Sequence, residues 1–344
     1  MTGRAAPLQV LIASYLEPEH VARIRESAPN AEVRYEPALL PTPRYAADHY
    51  NTIQRSPEDE RRWRELLARA EVLFDFDHGH LDDLPTVAPR ARWVQATSAG
   101  IGQLLRRTRL DRSGIVFTTA SGVHAVPLAE FAALAMLYFA KQVPRLLVQQ
   151  REHHWERFAG SELRGCTVAI VGLGKIGTEV ARVSRALGLR VTGTRRGGQV
   201  ADAAVDAQRP LSELRLLLAE ADYVVVAVPH TAETEGLIGA AELATMRRGA
   251  VLVNIGRGRV IDEPALIEAL RSGQLGGAAL DVFAQEPLPK ESPLWDMPNV
   301  LVNPHSASTA DSENTKLTDL FQENLQLYLA GRPLLNVFDR ERGY

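Results

Sequence analysis

Three side chains capable of electrostatic and acid–base chemistry each follow an apolar, strand-like run in the second half of the chain. They are Arg257 in NIGRG (254–258), Glu286 in LDVFAQEP (280–287) and His305 in NPH (303–305). A guanidinium is a planar, permanently charged fork that fits a carboxylate, and an imidazole gives or takes a proton near neutral pH. A carboxylate beside that imidazole holds it protonated. Taken singly, the same residues read as a turn arginine, a solvated loop acid and a structural histidine. Only convergence of all three makes chemistry, and strand ends of one open parallel sheet would supply it.

The stretch 166–196, CTVAIVGLGKIGTEVARVSRALGLRVTGTRR, is where such a sheet announces itself. Val168, Ala169, Ile170 and Val171 form a short run suited to a strand buried on both faces. Gly172, Gly174 and Gly177 then fit G-x-G-x-x-G: a tight turn, a close approach to pyrophosphate, and helix packing. Ile176, Val180, Val183 and Leu187 make one helical stripe that ends at Gly188, before a strand over 190–194. The first amides of that helix, at Lys175 and Ile176, would hold dinucleotide phosphates with the helix dipole. The alternative is a strand-to-helix turn with no ligand.

The remaining elements follow a βα rhythm. Strands are expected over 8–13, 71–76, 92–96 and 115–119, with helices over 18–27 and 57–70. The proline-rich segment 37–51 reads as a loop insertion on the surface. Thr97, Ser98, Ala99 and Gly100 form a small-residue turn, either an ordinary bend or an anion nest at a strand end. One long apolar helix is expected over 127–151; it would pack in a dimer interface or between lobes. Beyond the glycine stretch come helices over 211–218, 240–246, 262–271 and 309–330, and strands over 223–229, 250–254, 278–282 and 300–303. From 165 to 305 this is the doubly wound pattern of a dinucleotide domain. Val228, Pro229 and His230, and Ile255 and Gly256, would edge the cofactor.

With 344 residues, two lobes are the default expectation. A net charge of −3 with interspersed signs gives no basic field for nucleic acid and no polybasic membrane signal. The single cysteine, Cys166, forms no intramolecular disulfide and reads as a small strand-opening residue. The pairs His78/His80 and His153/His154 lack further ligands, so no metal is expected. The N-terminal stretch lacks a signal-peptide core, and no apolar run reaches about 18 residues. A cytoplasmic protein is expected.

Taken together, these motifs resemble the D-isomer-specific 2-hydroxyacid dehydrogenase family, in its glyoxylate/hydroxypyruvate reductase-like subgroup. The resemblance runs from GVHAVPLAEFAALAML at 122 through the glycine loop, VVVAVPHTAETEGLIG, VLVNIGRGRVIDEPALIEAL, GAALDVFAQEPL and NVLVNPH to NLQLYLAGRPLLNV. It implies an α/β fold with two lobes. A flavodoxin-like substrate domain would comprise 1–120 and 308–344, and a Rossmann-like dinucleotide domain 121–307. It further implies that Arg257 binds the substrate carboxylate and keto oxygen, that His305 donates the proton, and that Glu286 orients and charges His305. Amides at Ser98, Ala99 and Gly100 would grip the carboxylate alongside Arg257, and Asp281 would sit near the nicotinamide carboxamide. The implied reaction is hydride transfer between a nicotinamide and C2 of a 2-keto or 2-hydroxy acid in a homodimer. Specificity would lie in first-lobe loops and the segment around Tyr45 and Tyr50. A dinucleotide-sensing corepressor of the same fold is the alternative. Formate dehydrogenase is disfavoured, since it carries glutamine where this chain has Glu286.

The chain departs from the family pattern in two places. Asn303 stands where threonine is frequent, and Ser306, Ala307 and Ser308 stand where Ile-Gly-Gly is frequent. At the end of the second cofactor-lobe strand, NAD-preferring members place an acid; here stand Thr194, Arg195 and Arg196. Two arginines suit a 2′-phosphate, so NADP is the preferred cofactor and NAD remains possible.

Overall fold

The computed structural model describes residues 6–198 and 202–343. The chain divides into two compact units, Met1–His124 with Thr309–Tyr344, and Ala125–Ser308. In the first unit β1 (Leu8–Ile12), α1 (Pro18–Ser27), β2 (Ala31–Arg34), α2 (Pro57–Arg69), β3 (Val72–Phe74), α3 (Leu84–Val87), β4 (Trp93–Gln95), α4 (Gly102–Arg107) and β5 (Val116–Thr118) follow in order. The five strands run parallel in the order β2-β1-β3-β4-β5. This is the flavodoxin-like order, with its switch point between β1 and β3. Helices start where the chain supplies caps: Ser56 accepts the Asp59 amide at 3.1 Å, Pro57 opens α2, and three acids fill its first turn.

In the second unit come α5 (Ala125–Ala140), α6 (Val143–Arg151), β6 (Thr167–Val171), α7 (Lys175–Ala186), β7 (Arg190–Thr194), β8 (Ala207–Arg209), α8 (Leu214–Ala219), β9 (Tyr223–Val226), α9 (Ala240–Thr245), β10 (Ala250–Asn254), α10 (Glu263–Arg271), β11 (Leu275–Leu280) and β12 (Val300–Val302). All seven strands are parallel, in the order β12-β11-β10-β9-β6-β7-β8. The order reverses between β6 and β9, the place where doubly wound sheets bind ligands. The last helix, α11 (Glu313–Leu329), returns to the first unit. There Phe321 and Leu325 join Val10, Ile12, Phe74 and Trp93 on one face of the sheet. The opposite face buries Leu11, Leu73, Val94 and Phe117 with Trp63 and Leu67 of α2. Apolar burial on both faces, worth about 25 cal/mol per Å², is what holds a parallel sheet together.

One expectation fails, and another holds only in part. The long helix over 127–151 is two helices bent by 64°. Gln142 takes φ 52°, and Pro144 sits in the first turn of α6. Pro144 has no N–H and its ring would clash with the Ala140 carbonyl; that carbonyl instead accepts the Ser161 amide at 2.7 Å. The segment 37–51 is a loop with an exposed side, as expected, but it is anchored in the core. Leu39, Leu40, Ala47, Asp48 and His49 are buried, and both leucines join the core of Trp63 and Leu67. Its buried polar groups find protein partners: Arg44 forks onto Asp48 at 2.7 and 2.9 Å, and His49 bonds Ser14 at 3.0 Å and Asn314 at 2.8 Å. Smaller differences concern element ends. β9 stops at Val226 rather than at 229, β11 begins at Leu275, and α11 begins at Glu313 rather than at 309.

The packing of α7 on β6 depends on Gly177, where a Cβ would lie 2.0 Å from the Gly172 carbonyl oxygen and 3.1 Å from Ile170 Cγ2. Overpacking of this kind costs about 1–3 kcal/mol, so Gly177→Ala is expected to lower the melting temperature by on the order of 5 °C. Differential scanning fluorimetry reads this directly, and a variant melting within about 1 °C of wild type would overturn the close-approach argument.

Candidate active site

Loops at the carboxyl ends of β6, β7, β9, β10, β11 and β12 carry the second-unit candidates. After β10, the buried Asn254 braces the turn. Its Oδ1 accepts the Gly256 amide at 3.1 Å, and its Nδ2 donates to the Arg257 carbonyl at 3.1 Å. The half-buried Arg257 guanidinium donates to the Gly256 carbonyl at 2.7 Å. Gly258 then lies against the next loop, since a Cβ there would fall 1.9 Å from both C and O of Phe283. That contact sets the Arg257 turn directly against the turn bearing Glu286.

Glu286 Oε1 accepts the Phe283 amide at 3.0 Å, and Oε2 meets His305 Nδ1 at 2.8 Å. Burial pushes the Glu286 carboxyl up. The hydrogen bonds from His305 and Phe283, with the charges of His305 and Arg257, outweigh burial and hold it below the ordinary carboxylate value. Arg257 is thus within electrostatic reach of the carboxylate that bonds the imidazole. Because an ionised carboxylate only accepts, Nδ1 carries the hydrogen, and Nε2 is the edge left for proton exchange. The His305 side chain is 43% exposed, so that edge is reachable.

Asp281, 1% exposed, follows β11. Its Oδ1 accepts from Asn303 Nδ2 at 2.6 Å and from the amides of Ser306 and Ala307 at 2.9 and 3.0 Å. Glu263, in the first turn of α10, accepts the Ala284 amide at 3.0 Å. The bracing roles of Asn254, Glu263 and Asn303 were not read from the sequence. An Asn ending a strand before a turn and an acid opening a helix were the available signals.

The dinucleotide candidates occupy the switch point. Gly172 takes φ 108°, and a Cβ there would meet Val228 Cγ1 at 2.7 Å and the Ala227 carbonyl at 3.0 Å. Gly174, the N-cap of α7, has nothing within 4 Å of its Cβ position, which is the open approach a pyrophosphate requires. Lys175 and Ile176 open the helix. Gly256 also lies close to the β9 loop, its Cβ position 2.7 Å from the Val228 carbonyl, and Ile255 is buried beside it. Pro229 precedes His230, which pairs with Glu235. Thr194 ends β7 and is buried; the exposed Arg195 and Arg196 follow, and Arg196 pairs with Glu233 at 3.1 Å. Open space at Gly174, the N-terminus of α7 beside it and a cationic β7 end fit a phosphorylated dinucleotide.

Ser98, Ala99 and Gly100 belong to the first unit, in the turn after β4. Ser98 carbonyl accepts the Ala120 amide at 3.0 Å, its hydroxyl accepts the Gly100 amide at 3.3 Å, and Asp75 Oδ1 accepts the Thr97 amide at 3.3 Å. Among the described residues no group of three or more His, Cys, Asp or Glu is arranged to hold a metal ion.

The profile of the family described as "D-isomer specific 2-hydroxyacid dehydrogenase, NAD binding domain" matches residues 133–307. A D-3-phosphoglycerate dehydrogenase of Synechocystis is 38% identical over 237 residues, which cover 66% of this chain but only 41% of that protein. A glyoxylate reductase of Aeropyrum pernix is 34% identical over 282 residues, covering 79% of this chain and 84% of the relative. The crystal structure of an NADPH-dependent glyoxylate/hydroxypyruvate reductase from Sinorhizobium meliloti, in complex with NADP and sulfate, superposes with a TM-score of 0.80 at 28% identity. It covers 98% of this chain and 100% of that one. The profile match takes in every loop that builds the Gly172, Arg257, Glu286 and His305 arrangement, and the chain belongs to the D-isomer specific 2-hydroxyacid dehydrogenase family.

Proposed function

We propose that the protein is an NADPH-preferring reductase of small 2-keto acids, of the glyoxylate/hydroxypyruvate type, with Arg257, Glu286 and His305 as its catalytic residues. The observation that carries this reading is the Glu286–His305 bond at 2.8 Å with Arg257 within electrostatic reach. The first unit is the substrate domain, and its Ser98, Ala99 and Gly100 turn offers amides for a carboxylate. The second unit is the dinucleotide domain.

When bound, the reduced nicotinamide supplies a hydride to C2 of the keto acid. Arg257 holds the substrate carboxylate and polarises the keto oxygen with its guanidinium charge. His305 gives the Nε2 proton to that oxygen as the C2–H bond forms, and Glu286 balances the imidazolium beforehand. Oxidation of the 2-hydroxy acid runs the same steps backward, with His305 taking the proton. Gly172, Gly174, Lys175, Ile176 and Gly177 supply the phosphate cradle. Val228, Pro229, His230, Ile255, Gly256 and Asp281 border the cofactor, and Thr194, Arg195 and Arg196 receive its 2′-phosphate. The Arg196–Glu233 pair is exposed, 47% and 65%, and worth little, so a phosphate displaces Glu233 at small cost.

The active species is a homodimer working in the cytoplasm. α6 buries none of its residues, and Leu146, Leu147 and Val148 on it, with Leu134 on α5 and Trp155 beyond, expose apolar surface suited to a second copy of this chain. The free thiol of Cys166 suits a reducing compartment.

Arg257→Ala is expected to lower kcat/KM for glyoxylate by about 10³-fold while leaving the NADPH Kd, read by protein fluorescence, unchanged. Unchanged turnover would sink the assignment. Replacing Arg195 and Arg196 together by Ala is expected to raise the NADPH Kd by about 10- to 100-fold with little effect on NADH; a wild-type preference for NADH would refute this reading of the β7 end. The pH dependence follows from Glu286. Its lowered pKa keeps it ionised until the pH falls below the ordinary value of about 4.3. Its charge therefore acts over the whole neutral range and is lost only in acid. Glu286→Gln removes that charge and the carboxylate that meets His305 Nδ1, and kcat/KM for reduction is expected to fall by about 10²-fold. Wild-type kcat/KM in this variant would remove Glu286 from the mechanism.

A further inference from the structure

We propose that Asn303, acting through the Asp281 carboxylate, is a positioning residue that fixes His305 for proton transfer. This rests on the reading of His305 as the proton donor and adds the device that holds it. His305 takes φ 52°, in the left-handed region that residues with side chains avoid. Such a conformation persists only where the surroundings over-determine it. Here one oxygen does so. Asp281 Oδ1 accepts from residues on both sides of the histidine: the Asn303 side chain two positions before it at 2.6 Å, and the amides one and two positions after it at 2.9 and 3.0 Å. The His305 amide itself donates to the Asn303 carbonyl at 3.0 Å, so the turn closes on itself around an internal anion.

The backbone on either side is already pinned. The Asn303 amide donates to the Leu280 carbonyl at 2.9 Å, and the Asp281 amide to the Asn254 carbonyl at 3.0 Å. The Asp281 carboxylate is held by the two turn amides and, from a side chain, by the Asn303 amide, which is the donor a substitution can remove. Losing it loosens the carboxylate against the two turn amides and relaxes the left-handed residue that aims Nδ1 at Glu286. The effect falls on the imidazole and not on the glycine loop, which lies on other strands.

The test uses the full chain and the pair Asn303→Val and Asn303→Thr, side chains of one shape that differ by a hydroxyl donor. N303V is expected to lower kcat by about 10- to 100-fold, as loss of a supporting hydrogen bond does, with the KM of glyoxylate and the NADPH Kd within about two-fold of wild type. N303T is expected to recover most of the turnover. In the cofactor-free protein, an NMR resonance from the His305 Nδ1 proton held by Glu286 is expected in wild type and N303T and absent in N303V. Wild-type turnover in N303V overturns the proposal, as does a loss confined to NADPH affinity, which would assign the pair to the cofactor. Should N303V not fold, N303A is read in the same way. If the wild type reduces no 2-keto acid, the proposed function fails, and the His305 resonance still decides this inference: its loss in N303V supports the positioning role and its retention overturns it.

Discussion

The close approach of Gly258 to Phe283 is the constraint on which the second-unit arrangement depends. A Cβ at 258 would lie 1.9 Å from the Phe283 carbonyl carbon and oxygen, so two loops from neighbouring strands meet backbone to backbone. Loops usually keep their distance because side chains stand between them; removing one side chain removes the spacer. The consequence is electrostatic. A guanidinium on one loop comes within reach of a carboxylate on the next, and that carboxylate is then held ionised beside an imidazole from a third loop. Neither Asn254 nor Glu263 touches the imidazole, yet each bonds a backbone group flanking this contact.

The same logic recurs at the switch point. Gly172 and Gly256 both press on the loop after β9, one against the Val228 side chain and the Ala227 carbonyl, the other against the Val228 carbonyl. Gly177 presses on Gly172 from the helix side, whereas Gly174 faces open space. Three of these glycines let protein meet protein, and only one leaves room for something else. The space at Gly174 is thus a gap left by an otherwise close-packed junction, at the N-terminus of α7.

How much of this the sequence shows follows from what each element buries. β6, β9 and β10 are buried along their whole length and read as apolar runs, so the dinucleotide half was legible. β2 and β8 are edge strands of sequence AEVR and AQR with little buried surface, and no periodicity marks them. The bend at Gln142 hid behind unbroken apolarity although Pro144 signalled it, and the anchoring of 37–51 hid because its buried polar side chains pair in part with residues distant in sequence, as His49 does with Asn314. In the site, residue types and strand-end positions suggested that Glu286 and His305 converge. A separation of 19 positions could not give the bond, nor could any pattern reveal that Asp281 bonds both sides of the histidine.

The charge at the end of β7 can be weighed in the same terms. An acid at this strand end would accept from a ribose hydroxyl and repel a phosphate; Thr194 is buried instead, and the two residues that follow are exposed arginines. Glu233 pairs with Arg196 from the loop after β9, which at first sight cancels the cation. The pair is largely solvated, and exposed pairs contribute about 0–1 kcal/mol, whereas a charge-assisted bond to phosphate contributes about 1.5–3. An exposed pair of this kind is a weak competitor for the guanidinium, so Glu233 leaves the cationic character of the strand end largely intact.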